Sequence, residues 1–266
     1  MPSASILVVV SYFDGRHVKP LRRLLASMRE HEGGRPFDLA VVVNRESGFD
    51  RPGLTLESSI RVLERPNTGM NIGAWDHGWR SLSGYAHYLF LQDDCLVVRE
   101  GWLAGYLTRA ADPEIGLLGE SLNKAWDKPW AKLAEERKGE VLPDHIIDGQ
   151  PAERVALYLD FMARTGIDPG ENGRHLRSLT WFARRDVLER IDGFPIGATY
   201  GECIAAEIAV SRKVAAAGLR VEQTSPEPFH FIRHADWEQA TPGGPFLHTR
   251  SRKPRAASWF SRLMRR

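Results

Sequence analysis

Two hydrophobic rhythms alternate over the first 120 residues. Residues 6–12 (ILVVVSY) are a β-branched run ending in polar residues, the pattern of a strand buried on both faces. Leu21, Leu24, Leu25 and Met28 then recur at i, i+3, i+4 and i+7, one face of a helix, with Pro20 near its first turn and Gly33-Gly34 beyond its end. Residues 38–44 (DLAVVVN) predict a second buried strand and 61–64 a shorter third. Residues 70–82 read as a helix, and 87–91 (HYLFL) as a strand running into Gln92-Asp93-Asp94. A helix over 101–111 and a strand at 115–119 follow. Strands and helices alternating at this spacing give an α/β fold with a mostly parallel central sheet, flanked by helices on both faces.

The second half has a different texture. Residues 121–150, rich in Trp, Lys, Glu and Pro, read as a surface excursion with one helix near 130–138. A helix at 151–165 leads into the polar, glycine-rich loop GIDPGENGRH. A strand at 178–183, a helical turn at 187–191, a long helix over 202–217 stopped by Gly218, and strands at 219–222 and 229–232 complete the pattern. No internal repeat is visible. The expected organisation is one domain over 1–249 and a tail over 250–266.

Composition changes this picture in two respects. No apolar run approaches the roughly 18 residues of a membrane-spanning helix, and no basic segment precedes the first apolar stretch, so a cytoplasmic protein is expected. Two cysteines, Cys95 and Cys203, are too few for a disulfide framework or a four-thiolate zinc site. The net charge of +2 is unevenly spread: residues 250–266 hold seven basic and no acidic residues, and removing those seven from +2 leaves −5 on the rest. That tail, with Trp259, Phe260, Leu263 and Met264 among its arginines, suits an anionic membrane surface. The acidic body argues against nucleic acid as a partner.

In an open parallel sheet, ligands bind at the carboxyl ends of the strands. Those ends carry Ser11-Tyr12, Asn44, Asn67 and Gln92-Asp93-Asp94. Two adjacent carboxylates at the end of a buried strand repel each other and lose solvation, which calls for a cation nearby. Oxygen ligands without a Cys/His cluster favour Mg²⁺ or Mn²⁺, shared with a substrate diphosphate. The alternative is that the pair caps the next helix or bends a turn.

The ordered set VVVSYFDGRHVKPLRRLLASM, AVVVN, RPNTGMNIGAWDHGW, YLFLQDDCLV and SLTWFARRDVLERIDGFP resembles the inverting family 2 glycosyltransferases of the GT-A (nucleotide-diphospho-sugar transferase-like) fold. The resemblance covers roughly residues 5–235. It implies a nucleotide-sugar donor held by Ser11, Tyr12, Asn44, Asn67, Gly69, Gln92 and Asp93, and Mn²⁺ or Mg²⁺ at Asp94. His230 would complete the metal site, with His234 as the competing choice. Gln92 stands where the family's metal motif usually has an Asp, and Asn44 stands where a nucleobase-binding Asp is usual. The GMNIGAWDHGW stretch is similar to branches acting on bacterial rhamnose-containing and other surface polysaccharides. That implies a glycan or lipid-linked glycan acceptor, stacked on Trp126 and Trp130 with Trp181 on the acceptor-side strand.

The family base sits in an acidic pair near the start of the last long helix, and this chain offers Glu202 and Glu207. The interval to Gly218 favours Glu207. Glu207 also lies among Ala205, Ala206 and Ile208 with no basic residue at i+3 or i+4, a setting that raises a carboxyl's pKa toward general-base use. The resemblance thus implies an inverting sugar transferase. The rival reading is a catalytically inactive GT-A-like module that binds nucleotide or glycan in a polysaccharide assembly complex. A nucleotidyltransferase is disfavoured because no Gly-rich, Lys/Arg-bearing phosphate loop follows the first strand.

Overall fold

A computed structural model describes residues 5–46, 54–147 and 150–235. In chain order the elements are β1 (Ile6–Phe13), α1 (Lys19–Glu30), β2 (Asp38–Arg45), β3 (Ile60–Pro66), α2 (Met70–Ser81), β4 (His87–Gln92), β5 (Cys95–Val97) and α3 (Trp102–Ala110). There follow β6 (Ile115–Gly119), a 3-10 turn (Lys124–Trp126), α4 (Trp130–Glu136), β7 (Val141–Ile147), β8 (Gln150–Glu153) and α5 (Arg154–Arg164). The chain continues through β9 (Thr180–Arg184), α6 (Arg185–Arg190), α7 (Tyr200–Ala216), β10 (Arg220–Gln223) and β11 (Ile232–His234).

Seven strands form the central sheet in the order β10-β6-β9-β4-β1-β2-β3. The expected mostly parallel α/β sheet is present: only β9 runs against its neighbours β4 and β6. Side chains alternate across it. Leu7, Val9, Val42, Tyr88, Phe90 and Trp181 face a core shared with α2, α5 and α7. On the other face Phe182 meets Tyr106 of α3, ring centroids 5.5 Å apart, and α3 packs on β6 and β9.

Two pairings were not predicted. β7 and β8 form an antiparallel hairpin that runs from the expected surface excursion into the first residues of the helix predicted at 151–165, and β5 pairs antiparallel with β11. The last strand begins at Ile232, three residues beyond the predicted start, because Phe229 has φ +57° and cannot join a ladder. The compact unit runs to Ala235; the predicted domain limit at 249 and the tail 250–266 lie outside the described residues. Among the described residues no helix is long and apolar enough to cross a membrane.

Candidate active site

β1 and β4 run side by side with Ser11 opposite Gln92, so the turn after β1 faces the acidic pair after β4. The Tyr12 hydroxyl donates to the Arg16 carbonyl at 3.2 Å, folding that turn back on itself. It delivers the exposed Arg16 guanidinium to 3.6 Å from Asp94. From the other direction β11 lies against β5, with His234 in register with Cys95. His234 Nε2 is thereby 3.1 Å from Asp94 Oδ2. Asp93 Oδ2 and Asp94 Oδ1 are buried and have no hydrogen-bond partner.

The two carboxyls are pushed apart. Burial, then the charge of Asp94, raises Asp93 to about 7. Burial acts on Asp94 in the same direction but is outweighed by the His234 hydrogen bond and charge and by Arg16, so Asp94 lies below the usual range. Asp94 is therefore the ionised member near neutral pH. A partly buried carboxylate with an unpartnered oxygen beside an imidazole is an arrangement that can take up a divalent ion. Among the described residues no three His, Cys, Asp or Glu side chains converge on one point. One carboxylate with substrate phosphates and waters supplying the other oxygens is a usual arrangement for Mg²⁺, and Asp94 fits that part of the group. His230, the first expectation for the metal, instead pairs with Glu227 at 2.9 Å.

Ser178 ties the acidic pair's strand to α7. Its carbonyl accepts from Gln92 Nε2 at 2.7 Å and Asn71 Nδ2 at 3.2 Å, and its backbone N–H donates to Glu207 Oε2 at 3.4 Å. Gln92 is thus a bridge between β4 and the loop before β9. Burial raises the Glu207 pKa, opposed by Ser178 and by the charge of Arg177. Glu202, the competing base, is the N3 residue of a capping box with Thr199. Its Oε2 accepts from Ala198 N at 2.7 Å and Thr199 N at 3.2 Å, while Oε1 meets Arg164 at 2.5 Å. Burial is outweighed there by Arg164 and these N–H groups, leaving Glu202 below its ordinary pKa. Both Glu202 oxygens are thus engaged, Oε2 in starting α7 and Oε1 with Arg164 of α5.

Several side chains expected at the donor and acceptor have partners within the protein. Asn44 is 2% exposed. Its Nδ2 donates to the Met70 carbonyl at 3.0 Å and its Oδ1 accepts from Arg65 at 2.7 Å. Arg65, whose pKa is lowered by burial, also holds the Thr68 carbonyl at 2.7 Å. Asn44 therefore shapes the turn before α2, with both atoms of its amide engaged there. The Ser11 hydroxyl is buried and donates to Leu91 O at 3.4 Å. Trp181 is 0% exposed and packs edge-on to Trp75 at 5.2 Å, so it is core. Trp126 is buried between Tyr158 and the Arg137 guanidinium. Trp130 is half-buried, its indole N–H donating to Pro169 O at 3.1 Å.

Asn67 is exposed, and Gly69 starts α2 with φ +72°, where a Cβ would lie 2.6 Å from Ile196 Cγ2. That close approach and left-handed backbone require glycine. Sequence reasoning missed Arg16, Arg65, Arg177 and Ser178. Only the Thr199-x-x-Glu202 capping signature offered a local signal, which would have removed Glu202 from consideration.

The loop carrying Ser178 is set by His175, which is 3% exposed, with Nδ1 2.7 Å from Gly173 O and Nε2 3.2 Å from Asn123 Nδ2. Burial lowers its pKa to about 4. The native state thus resists a proton that the unfolded chain accepts near 6.5. Stability is lost as the pH falls from 6.5 through 4, by up to about 3 kcal/mol. His175→Asn is expected to flatten this part of the Tm-against-pH curve, measured by thermal unfolding between pH 4 and pH 8. An unchanged acid slope would show that His175 is not its source.

No protein-family model matches the chain, and no curated protein matches it in sequence. Solved structures match, among them a mannosyltransferase from Pyrobaculum calidifontis in complex with GDP-Man and Mn²⁺. That match has a TM-score of 0.49 and 14% sequence identity and covers 84% of this chain. The chain spans 56% of the length of that structure.

Proposed function

We propose that this protein is an inverting, divalent-metal-dependent glycosyltransferase of the GT-A type, using a nucleotide-sugar donor and a glycan or lipid-linked glycan acceptor. The observation that carries the reading is the pair of buried, unpartnered carboxylate oxygens on Asp93 and Asp94, flanked by His234 and Arg16 at the carboxyl edge of the sheet. The surface-polysaccharide acceptor rests on the GMNIGAWDHGW resemblance, and the membrane surface on the basic tail.

Asp94 and His234 would hold the cation, His234 taking the place first expected of His230. Bound there, the cation supplies positive charge to the departing diphosphate. Arg16 adds a second positive charge on the same side. Glu207, oriented by the Ser178 N–H, accepts the proton of the attacking acceptor hydroxyl. The acceptor oxygen forms a bond to the anomeric carbon as the bond to the phosphate oxygen breaks, and the electron pair leaves with the nucleoside diphosphate. Attack from the face opposite the leaving group inverts the anomeric centre. Burial keeps the Glu207 carboxyl more basic than an exposed glutamate, which suits proton abstraction.

A thermal-shift series of nucleoside diphosphates with and without Mn²⁺ tests the reading. One nucleotide at about 100 times its Kd is expected to stabilise by about 2.7 kcal/mol, a Tm rise of roughly 5–10 °C for a chain of this size, only when Mn²⁺ is present. No response to any nucleotide sinks the proposal. Binding with no sugar transfer from the matching donor would favour the inactive module.

A further inference from the structure

The imidazole beside Asp94 is carried by a short segment. β11 is three residues long, and its pairing with the equally short β5 covers only Ile232, Arg233 and His234. Strands this short do not hold themselves. Beyond that ladder, Val98 N donates to Phe231 O at 2.9 Å and Ala235 N donates to Asp94 O at 2.8 Å. The turn into β11 is fixed from another strand, at Glu120 just after β6.

We infer that Glu120 is a positioning residue that latches the strap 229–235 to the end of β6, and so keeps His234 beside Asp94. The inference rests on the reading of Asp94 and His234 as cation ligands.

Glu120 is 2% exposed and grips the strap twice. Its backbone carbonyl accepts from Phe229 N at 3.0 Å, and its side-chain Oε2 accepts from Phe231 N at 3.1 Å. The opposite oxygen, Oε1, accepts from the Tyr106 hydroxyl at 2.8 Å, which fixes the carboxyl's direction. Phe229, at φ +57°, turns the chain between these two contacts. The Phe231 ring closes over Gly105, where a Cβ would lie 2.5 Å from it. One carboxyl therefore receives a phenol from α3 on one oxygen and the strap's N–H on the other. A carboxylate supplies both acceptors at once.

The arrangement is costly. Burial pushes the Glu120 carboxyl up to about 7, although the Tyr106 hydroxyl, the Phe231 and Ile232 N–H groups and the charge of His230 all hold it down. An apolar side chain would avoid that penalty but would leave the Phe231 N–H without its acceptor. Retaining the carboxyl makes sense where the strap's position matters more than the stability gained.

The full-length protein serves for the test, with two readouts that need no substrate: Mn²⁺ affinity from electron paramagnetic resonance titration, and amide hydrogen exchange over 229–235. Glu120→Met is expected to speed exchange there about tenfold and to weaken Mn²⁺ binding about tenfold, the range for loss of a group supporting a ligand. Glu120→Gln keeps an oxygen for the Phe231 N–H and is expected to stay within about threefold of the parent. In a His234→Ala background, Glu120→Met should cost no further Mn²⁺ affinity, because its effect runs through that imidazole. Parent-like Mn²⁺ affinity in Glu120→Met, or an equal added loss in the His234→Ala background, overturns the latch while leaving the cation reading intact. A parent protein that binds no Mn²⁺ overturns both. Should Glu120→Met fail to fold, Tyr106→Phe removes the phenol's hold on Glu120. Faster exchange at 229–235 in that variant supports the latch, and exchange and Mn²⁺ affinity both at parent values reject it.

Discussion

Asp94→Asn is expected to lower sugar transfer by about 10³-fold and to abolish Mn²⁺-dependent nucleotide stabilisation. The substitution is nearly isosteric, and the backbone carbonyl of Asp94 still accepts from Ala235 N, so the strap keeps its anchor. What disappears is the ionised oxygen, the one group in the pair held below the ordinary carboxylate range by His234 and Arg16. Asp93 cannot substitute for it. Burial, the larger cause of its raised pKa, still acts on Asp93 in the variant, although the push from the Asp94 charge is gone. The checks are initial rates with the donor identified by thermal shift, and the nucleotide-induced Tm rise with Mn²⁺. Transfer within tenfold of the parent, or a retained Mn²⁺-dependent shift, would remove Asp94 from the centre of the mechanism.

The sheet was legible because its signal is dense. β1, β2 and β4 are continuous apolar runs, and α1 repeats its leucines at helical spacing, so burial and period agree locally. The β5–β11 ribbon was not legible, since three residues such as CLV or IRH carry no measurable period. That ribbon places His230 and His234 differently. It sets His234 opposite Cys95, next to Asp94, and leaves His230 to Glu227. The polar side chains at the strand ends were found, but whether they face a cleft or each other depends on partners far along the chain. Asn44 is spent on Arg65, 21 residues away, and Ser178 joins Gln92 to Glu207 across 86 and 29 residues. The tryptophans were hard to sort for a related reason: an indole reads alike in a sequence whether it fills a core, as Trp181 does, or faces a sugar.

Glu207→Gln is expected to lower kcat by about 10²–10⁴-fold, the contribution of a positioned general base. Nucleotide and Mn²⁺ binding should stay near parent values. The amide oxygen can still accept from the Ser178 N–H, so the loop before β9 keeps its place and the loss is chemical. The pH profile sharpens the test. In the parent, kcat should fall as pH drops through the Glu207 pKa, which burial sets above that of an ordinary glutamate. In the variant that acid limb should vanish. Glu202→Gln supplies the contrast, since its oxygens hold Arg164 and the first N–H groups of α7. Weakening the cap and the ion pair should cost about 1–2 kcal/mol of stability while leaving kcat and its acid limb in place. A kinetic collapse in Glu202→Gln beside a nearly normal Glu207→Gln would exchange the two roles. It would also mean that the capping box opens during turnover, because in its closed form it leaves neither Glu202 oxygen available to take up a proton.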